Sequence, residues 1–288
     1  MREPEEGRLA IEQTGFSYLP RFIHKEESLE LIDYFAELMP IWEQRHRGEA
    51  HGRSSGHGRR LTRPVYWLGA WQFACLGYYA EPDHRKDRCL RGERLPAVMQ
   101  QILERLGPVL EDSHSAAEPE EGNLLPNTCL INYYGREVGL GVPRDYARLR
   151  MHRDGEPGPV VMFNIGQAGL LEFLDPDRSP DPELRIWTRH RSVTILSGPE
   201  FKDRLYHRVV QVRTGDQPEL RSSLDNFEVR RVSVSFRSVP EELISDFGEL
   251  PLERRERVRE YVEELALSSE HYRAQLRAEK VTELDRGS

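Results

Sequence analysis

The sequence predicts an α+β fold: a sandwich or barrel of short strands, backed by N-terminal helices and followed by one appended C-terminal helix. Apolar residues follow helical spacing in the first third of the chain. Short apolar and β-branched runs separated by turn residues come next, and helical spacing returns after residue 241. Because the helices precede the strands, they are expected to cover one face of an antiparallel sheet.

Two helices are predicted ahead of the strands. The first runs from His24 to Met39, before Pro40, which cannot continue it. The second begins at Leu95 and runs to about Leu106. An acidic stretch of small residues, 111–123, indicates a loop between the second helix and the first strand of the sandwich.

Seven strands follow that loop, and a helix closes the chain. The predicted strands are Thr128–Tyr134, Val160–Ile165, Leu170–Leu174, Arg185–Trp187, Ser192–Leu196, Tyr206–Val212 and Arg231–Phe236. The closing helix covers Arg254–Leu267, where it packs on the barrel or contacts a partner protein, and residues 277–288 are expected to fray.

The composition is that of a globular protein without a membrane segment. No apolar run approaches the roughly 18 to 20 residues of a membrane helix, and the first residues have no apolar signal-peptide core. Three cysteines without a CxxC pair argue against a disulfide framework, so we expect a cytoplasmic protein, or a nuclear one in a eukaryote. We also expect it to be a monomer. The net charge of −8 does not favour nucleic-acid binding, but only a local basic face is needed for it.

Two histidines and one aspartate suggest a metal site. His152 and Asp154 are two residues apart, so on a strand or strand end they point to the same side. His207 lies on a later predicted strand. Two His and one carboxylate form the facial triad of non-haem Fe(II) oxygenases, which leaves positions open for O2 and a co-substrate. These three residues alone occur by chance in many proteins, so the metal-site prediction depends on the motifs around them.

The strand from Arg231 to Arg237 supplies that context. Period-2 alternation places both arginines, with Ser233 and Ser235, on one face and three apolar residues on the other. A buried arginine without a carboxylate partner is costly, so a ligand such as a dicarboxylate should bring the negative charge. Asn132, with Tyr134 two residues later on another strand, offers further polar contacts.

In this order of motifs the chain resembles the AlkB-like family of Fe(II)/2-oxoglutarate-dependent dioxygenases. The resemblance is strongest over residues 123–239. It implies a double-stranded β-helix (jelly-roll) core at about 123–240 within a dioxygenase domain at 1–240, in which residues 1–110 hold helices and a nucleotide-recognition region. Residues 241–288 would be a C-terminal helical extension that could contact a partner protein.

The resemblance also implies roles for individual residues. His152, Asp154 and His207 would ligate Fe(II), with 2-oxoglutarate and O2 as co-substrates. The co-substrate pocket would consist of Asn132, Tyr134, Arg231, Ser233 and Arg237. Glu156 falls where the family often places an acidic residue that touches the target base. The implied reaction is oxidative demethylation of alkylated DNA or RNA bases, offered single-stranded or flipped out, with release of formaldehyde, succinate and CO2.

Two features make the substrate uncertain. Ser233 stands where the family usually has Asn, and the link between residues 135 and 150 is longer than usual. The basic, glycine-rich stretch 45–63, which ends at Arg63, is either a solvated mobile loop or a phosphate-contacting arm. Tyr66 and Trp67 are candidate platforms for base stacking, although most rings in this region should be ordinary core.

Three other function classes share features with this sequence. A kinase is excluded because Pro159 replaces the Asn expected five residues after Asp154, and the glycine-rich loop with its strand lysine is missing. The same iron chemistry could act on a protein side chain, a small molecule or a tRNA base, which the acidic net charge favours. A non-catalytic binding module is disfavoured by the intact iron and arginine motifs.

Overall fold

The computed structural model describes most of the chain, with gaps. The described residues are 11–13, 15–42, 44–46, 58–60, 63–73, 76, 89–114, 125–137, 144–145, 158–175, 177–213, 215 and 218–286. Within them, no helix is long and apolar enough to span a bilayer.

Sixteen strands and four α-helices are found in the described residues. The strands are β1 Ile11–Gln13, β2 Phe16–Leu19, β3 Gln44–His46, β4 Gly58–Arg60, β5 Val65–Leu68, β6 Ala70–Trp71, β7 Cys89–Arg91, β8 Thr128–Glu137, β9 Arg144–Asp145, β10 Val160–Gly166, β11 Gly169–Leu174, β12 Leu184–Thr188, β13 Ser192–Leu196, β14 Tyr206–Val212, β15 Phe227–Arg237 and β16 Ile244–Ser245. The helices are α1 Lys25–Glu37, α2 Ala97–His114, α3 Leu252–Ala266 and α4 Glu270–Arg286.

A major and a minor antiparallel sheet form the centre of the fold. The major sheet has the order β1-β2-β13-β10-β15-β8-β5, with β9 paired to β8, and the minor sheet has the order β12-β11-β14. One apolar cluster joins them, from Phe16 and Met162 of the major sheet to Leu171 and Phe173 of the minor sheet. This two-sheet arrangement confirms the predicted jelly-roll core.

Helices cover the opposite face of the major sheet. The largest apolar cluster joins Val232, Val234 and Phe236 of β15 to Phe35 of α1 and Ile102 of α2, all almost fully buried. The predicted order of layers, helices on one face of an antiparallel sheet, is therefore confirmed. Each inward side chain of that size contributes about 1.5 to 3 kcal/mol to folding relative to leaving it in water.

The helix α2 is longer than the sequence predicts. It continues to His114, so the expectation of a loop from residue 111 is wrong for its first turn. Pro108 lies inside the helix, although proline cannot donate the helical hydrogen bond. Leu110 is fully buried one turn after Leu106, and this burial carries the helix past the proline.

The C-terminal extension has two helices, α3 and α4, where one was predicted. Residues expected to fray from 277 onward are part of α4, which ends at Arg286. The helix α4 is anchored by Tyr272, which is fully buried and whose hydroxyl accepts a hydrogen bond from the Trp71 indole. Farther along, Glu279 is 2% exposed and is paired with Arg255 and Arg259 of α3.

Candidate functional site

A polar pocket lies between the major and the minor sheet. Its open volume is ≈ 30 Å³. Its walls come from Arg63, just before β5, and from strands of both sheets: Leu130, Asn132, Tyr134, Met162, Asn164, Leu171, Thr188, His207, Val209, Arg231, Ser233, Ser235 and Arg237. The five residues expected to hold the co-substrate and one expected metal ligand, His207, are thus brought together. No acidic side chain lines the pocket within the described residues.

The strand β15 forms one wall of this pocket. Arg231, Ser233 and Arg237 line it and are 2%, 5% and 6% exposed. Pairing with β8 sets Arg231 opposite Tyr134 and Ser233 opposite Asn132, which brings the polar pairs of the two strands side by side. The predicted alternation along this strand is therefore confirmed: its polar residues face the pocket, and its apolar residues lie in the core between the major sheet and the helices.

Arg231 is fully buried and is held by hydrogen bonds to neutral groups. Its Nη1 atom donates to the carbonyl oxygens of Gln167 and Thr188, each at 3.1 Å. Its Nη2 atom donates to Oδ1 of Asn164 and, at 2.9 Å, to Oγ1 of Thr188. Burial lowers the pKa of Arg231 to about 10, so the guanidinium stays charged at neutral pH. Within the described residues it has no carboxylate partner.

Arg63 lies inside the pocket, contrary to the expectation of an exposed phosphate-contacting arm. It is 7% exposed, and its Nε and Nη2 atoms donate to Oδ1 of Asn132 at 2.8 Å and 2.5 Å. The ring of Tyr134 lies 5.3 Å from the Arg63 guanidinium and 5.9 Å from that of Arg231. In such cation–π contacts the negative face of the ring attracts a positive group. The described ends of the basic stretch, β3 and β4, pair as a hairpin.

His207 is the predicted metal ligand that the structure describes. It is 3% exposed, lies on β14 opposite Phe173 of β11, and its ring packs 5.8 Å from that phenyl ring. His152, Asp154 and Glu156 lie outside the described residues, so their positions stay predictions.

Tyr66 and Trp67 do not form a base-stacking platform. Each is 1% exposed, because β5 forms the edge of the major sheet and is covered on both faces. The Tyr66 hydroxyl donates to Glu93 at 2.9 Å, and burial raises the pKa of that phenol. The expectation that these two rings contact a base is wrong, since both belong to the apolar core.

Asn164 and Thr188 are pocket residues that the sequence analysis missed. Both hold the Arg231 side chain, and both are about 1% exposed. Asn164 also donates from Nδ2 to the Ser192 carbonyl at 3.2 Å. A polar residue inside the apolar run of β10 was the available signal, since buried amides need partners.

The comparisons with known proteins agree with this architecture. The model of the 2OG-Fe(II) oxygenase superfamily matches residues 15–237, which is most of the chain. The chain therefore belongs to the 2OG-Fe(II) oxygenase superfamily, the class of dioxygenases that use iron and 2-oxoglutarate. Its resemblance to AlkB-like members is confirmed by the relatives that follow.

The relatives are distant. The chain is 25% identical over 179 residues to the DNA N(6)-methyladenine demethylase ALKBH1C of Arabidopsis thaliana, covering 57% of this chain and 38% of that protein. Among solved structures, OsALKBH1 superposes with a TM-score of 0.52 at 18% identity, over 81% of this chain and 100% of that one. A 2OG-Fe(II) oxygenase-family oxidoreductase from Burkholderia pseudomallei gives a TM-score of 0.43 at 16% identity, over 78% and 85% of the two chains.

Proposed function

We propose that this protein oxidatively demethylates N-alkylated bases in DNA or RNA, using Fe(II), 2-oxoglutarate and O2. Three observations support the proposal: membership of the oxygenase superfamily, a relative named as a DNA N(6)-methyladenine demethylase, and an arginine-rich pocket between the two sheets. The observation that carries the proposal is that Arg231 is buried and has no carboxylate partner among the described residues, because such a cation needs an anionic ligand.

The iron would be held by His152, Asp154 and His207. The fit rests on His207, a buried imidazole in the wall of the same pocket as the arginines. Imidazole together with a carboxylate is the donor set of the two-His, one-carboxylate facial triad. Bound Fe(II) couples the oxidation of 2-oxoglutarate to succinate and CO2 to the insertion of one oxygen atom of O2 into a C–H bond of the substrate.

The chain's own residues would position the co-substrate and neutralise its charge. Arg231 would take the distal carboxylate of 2-oxoglutarate and Arg237 would lie near its 1-carboxylate end, so the two negative charges meet two buried guanidinium groups. The hydroxyl groups of Tyr134 and Ser233 make no hydrogen bond in the described part of the chain, and both residues line the pocket. They supply neutral donors beside the arginines, and Asn132 completes the wall.

The substrate would be a base presented single-stranded or flipped out of a duplex. A methyl group on a base nitrogen becomes hydroxymethyl, which leaves as formaldehyde and returns the unmodified base. Glu156 is the proposed contact to the base. Arg63 remains a proposed contact to the substrate. It would act from inside the pocket, since it is buried and its side chain donates to Asn132. Unpairing a modified base costs only a few kcal/mol, which favours damaged sites.

A two-stage experiment tests the proposal. First, succinate release is measured with Fe(II) and 2-oxoglutarate for the wild type and for His152→Ala. The wild type should turn over and the variant should not; equal turnover in both proteins would refute the metal assignment.

Second, a panel of N-methylated oligonucleotides is assayed by mass spectrometry at increasing salt. Loss of 14 mass units per methyl group, with binding that weakens as salt rises, supports a nucleic-acid substrate. Succinate release without any demethylated oligonucleotide would refute the nucleic-acid part and leave the alternative of a protein side chain, a small molecule or a tRNA base.

A further inference from the structure

The guanidinium of Arg231 has one hydrogen left for a ligand. Its four terminal N–H groups go to the carbonyls of Gln167 and Thr188 and to the side-chain oxygens of Asn164 and Thr188. The fifth donor, Nε–H, is buried and has no acceptor within the described residues. A carboxylate that binds arginine with two parallel hydrogen bonds therefore cannot do so unless one present acceptor leaves.

The acceptor that must leave can be identified from the shape of the guanidinium. In arginine, Nη2 lies on the same side as the Nε hydrogen, so Nε and Nη2 form the edge that takes a carboxylate side-on. Thr188 accepts from Nη1 with its carbonyl and from Nη2 with its hydroxyl, which places it at the far end, between the two Nη atoms. The Nη2 hydrogen on the Nε edge is therefore left for Oδ1 of Asn164.

We propose that Asn164 holds the place of a co-substrate carboxylate oxygen on Arg231, and that 2-oxoglutarate binds by displacing the Asn164 carboxamide. The inference rests on the proposed function, because it takes a carboxylate of 2-oxoglutarate as the ligand of Arg231. It makes Asn164 a residue that sets co-substrate affinity by competition.

The size of the pocket supports an exchange of partners. An open volume of ≈ 30 Å³ holds about one or two water molecules, whereas a five-carbon dicarboxylate is several times larger. A wall side chain that can rotate gives the co-substrate room to enter. The Gln167 and Thr188 carbonyls belong to the backbone and cannot turn away, but the Asn164 side chain can rotate about its own bonds.

Displaced Asn164 would still have partners. Its Nδ2 atom donates to the carbonyls of Ser192 and Met162, at 3.2 Å and 3.3 Å, and to Oγ1 of Thr194 at 3.4 Å. All three lie on β10 or its neighbour β13, so the amide can keep hydrogen bonds on that side while its oxygen gives up Arg231. The arginine passes from a neutral oxygen to a charged one, which is the stronger acceptor.

Three variants test the competition by titration calorimetry on the full chain loaded with Mn(II), which binds in place of Fe(II) without turnover. Asn164→Asp supplies a permanent internal carboxylate that can take both Nε and Nη2. It should weaken 2-oxoglutarate binding about tenfold or more.

Asn164→Ala removes the competitor and leaves two hydrogens of Arg231, on Nε and Nη2, without an acceptor until the co-substrate arrives. It should lower the Tm and tighten 2-oxoglutarate binding, by about tenfold if one charged hydrogen bond is at stake. Thr188→Val is the matched control, because it removes an acceptor at the end that the carboxylate does not occupy. It should lower the Tm without tightening the binding.

The ligand 2-oxovalerate separates this role from general damage to the pocket. It has the carbon chain of 2-oxoglutarate with a methyl group in place of the distal carboxylate, so its affinity should be the same in the wild type and in Asn164→Asp. Unchanged 2-oxoglutarate affinity in Asn164→Asp, or binding to Asn164→Ala no tighter than to the wild type, overturns the proposal. If Asn164→Ala does not fold, the 2-oxoglutarate affinity of Asn164→Asp alone tests the proposal. A wild type that binds no 2-oxoglutarate refutes the proposed function instead.

Discussion

Replacing Gly169 with alanine should damage the pocket through Arg231. A Cβ at Gly169 would lie 3.0 Å from both Cζ and Nε of Arg231 and 3.3 Å from Nη1. The backbone at Gly169 is not in the left-handed region, so the added methyl group acts by contact alone. A free arginine would move aside, but this one is fixed by four hydrogen bonds, two of them to backbone carbonyls.

The expected cost follows from that contact. Overpacking a filled site costs about 1 to 3 kcal/mol, and each kcal/mol lowers the Tm of a protein of this size by about 2 to 4 °C. Thermal unfolding of Gly169→Ala, followed by circular dichroism, should therefore show a Tm that is lower than that of the wild type by about 2 to 12 °C. Calorimetry with 2-oxoglutarate should show weaker binding, because the guanidinium is pushed off its position.

Gly107→Ala is the matched control for this variant. Gly107 lies in α2, and a Cβ there would meet nothing within 4 Å. The added methyl group does not contact Arg231, so this variant should keep the wild-type affinity for 2-oxoglutarate. A Gly169→Ala protein with the Tm and the 2-oxoglutarate affinity of the wild type would contradict the reasoning, since it would mean that Arg231 is not fixed.

Two further predictions concern pH and the C-terminal helices. Burial, with the nearby charge of Arg191, lowers the pKa of His190 to about 4, and its Nδ1 atom accepts a hydrogen bond from the Gly166 amide at 3.2 Å. The unfolded chain binds a proton on this histidine near pH 6.5, so the free energy of unfolding should fall as the pH drops from 6.5 to 4. Urea titrations of His190→Gln should show a smaller fall over this range. Identical pH profiles for the two proteins would contradict this role of His190. Glu279→Gln removes the carboxylate that pairs with Arg255 at 3.0 Å. It should lower the free energy of unfolding, measured by urea denaturation, by about 3 kcal/mol. A loss below about 1 kcal/mol would show that the ion pair is not needed for stability.

The strands of the pocket were predictable because their pattern is local. Alternation along β15 fixes which side chains share a face, whatever the partner strand, and the structure keeps that assignment from Arg231 to Arg237. The strands Ser192–Leu196 and Tyr206–Val212 have the predicted bounds for the same reason. Each is a short apolar or alternating run with turn residues at its ends.

Contacts between distant strands were not predictable in this way. Asn164 and Thr188 meet Arg231 only because β10 pairs with β15 and the minor sheet closes over them. Tyr66 was misread because a buried edge-strand aromatic and an exposed stacking ring have the same sequence signature. The helix α4 was missed because part of its inward face is polar, with Gln275 and Glu279 buried.

The contact between Trp71 and Tyr272 has a practical consequence for where the chain can be shortened. Trp71 stacks on Phe73 at 4.9 Å, Phe73 stacks on Tyr261 of α3 at 5.1 Å, and Tyr272 of α4 caps the indole nitrogen. A protein cut after the last strand of the jelly roll would leave this aromatic column open to water and prone to aggregate. Expression, crystallisation and any gene fusion should therefore keep both α3 and α4, although neither helix adds a residue to the described lining of the pocket between the sheets.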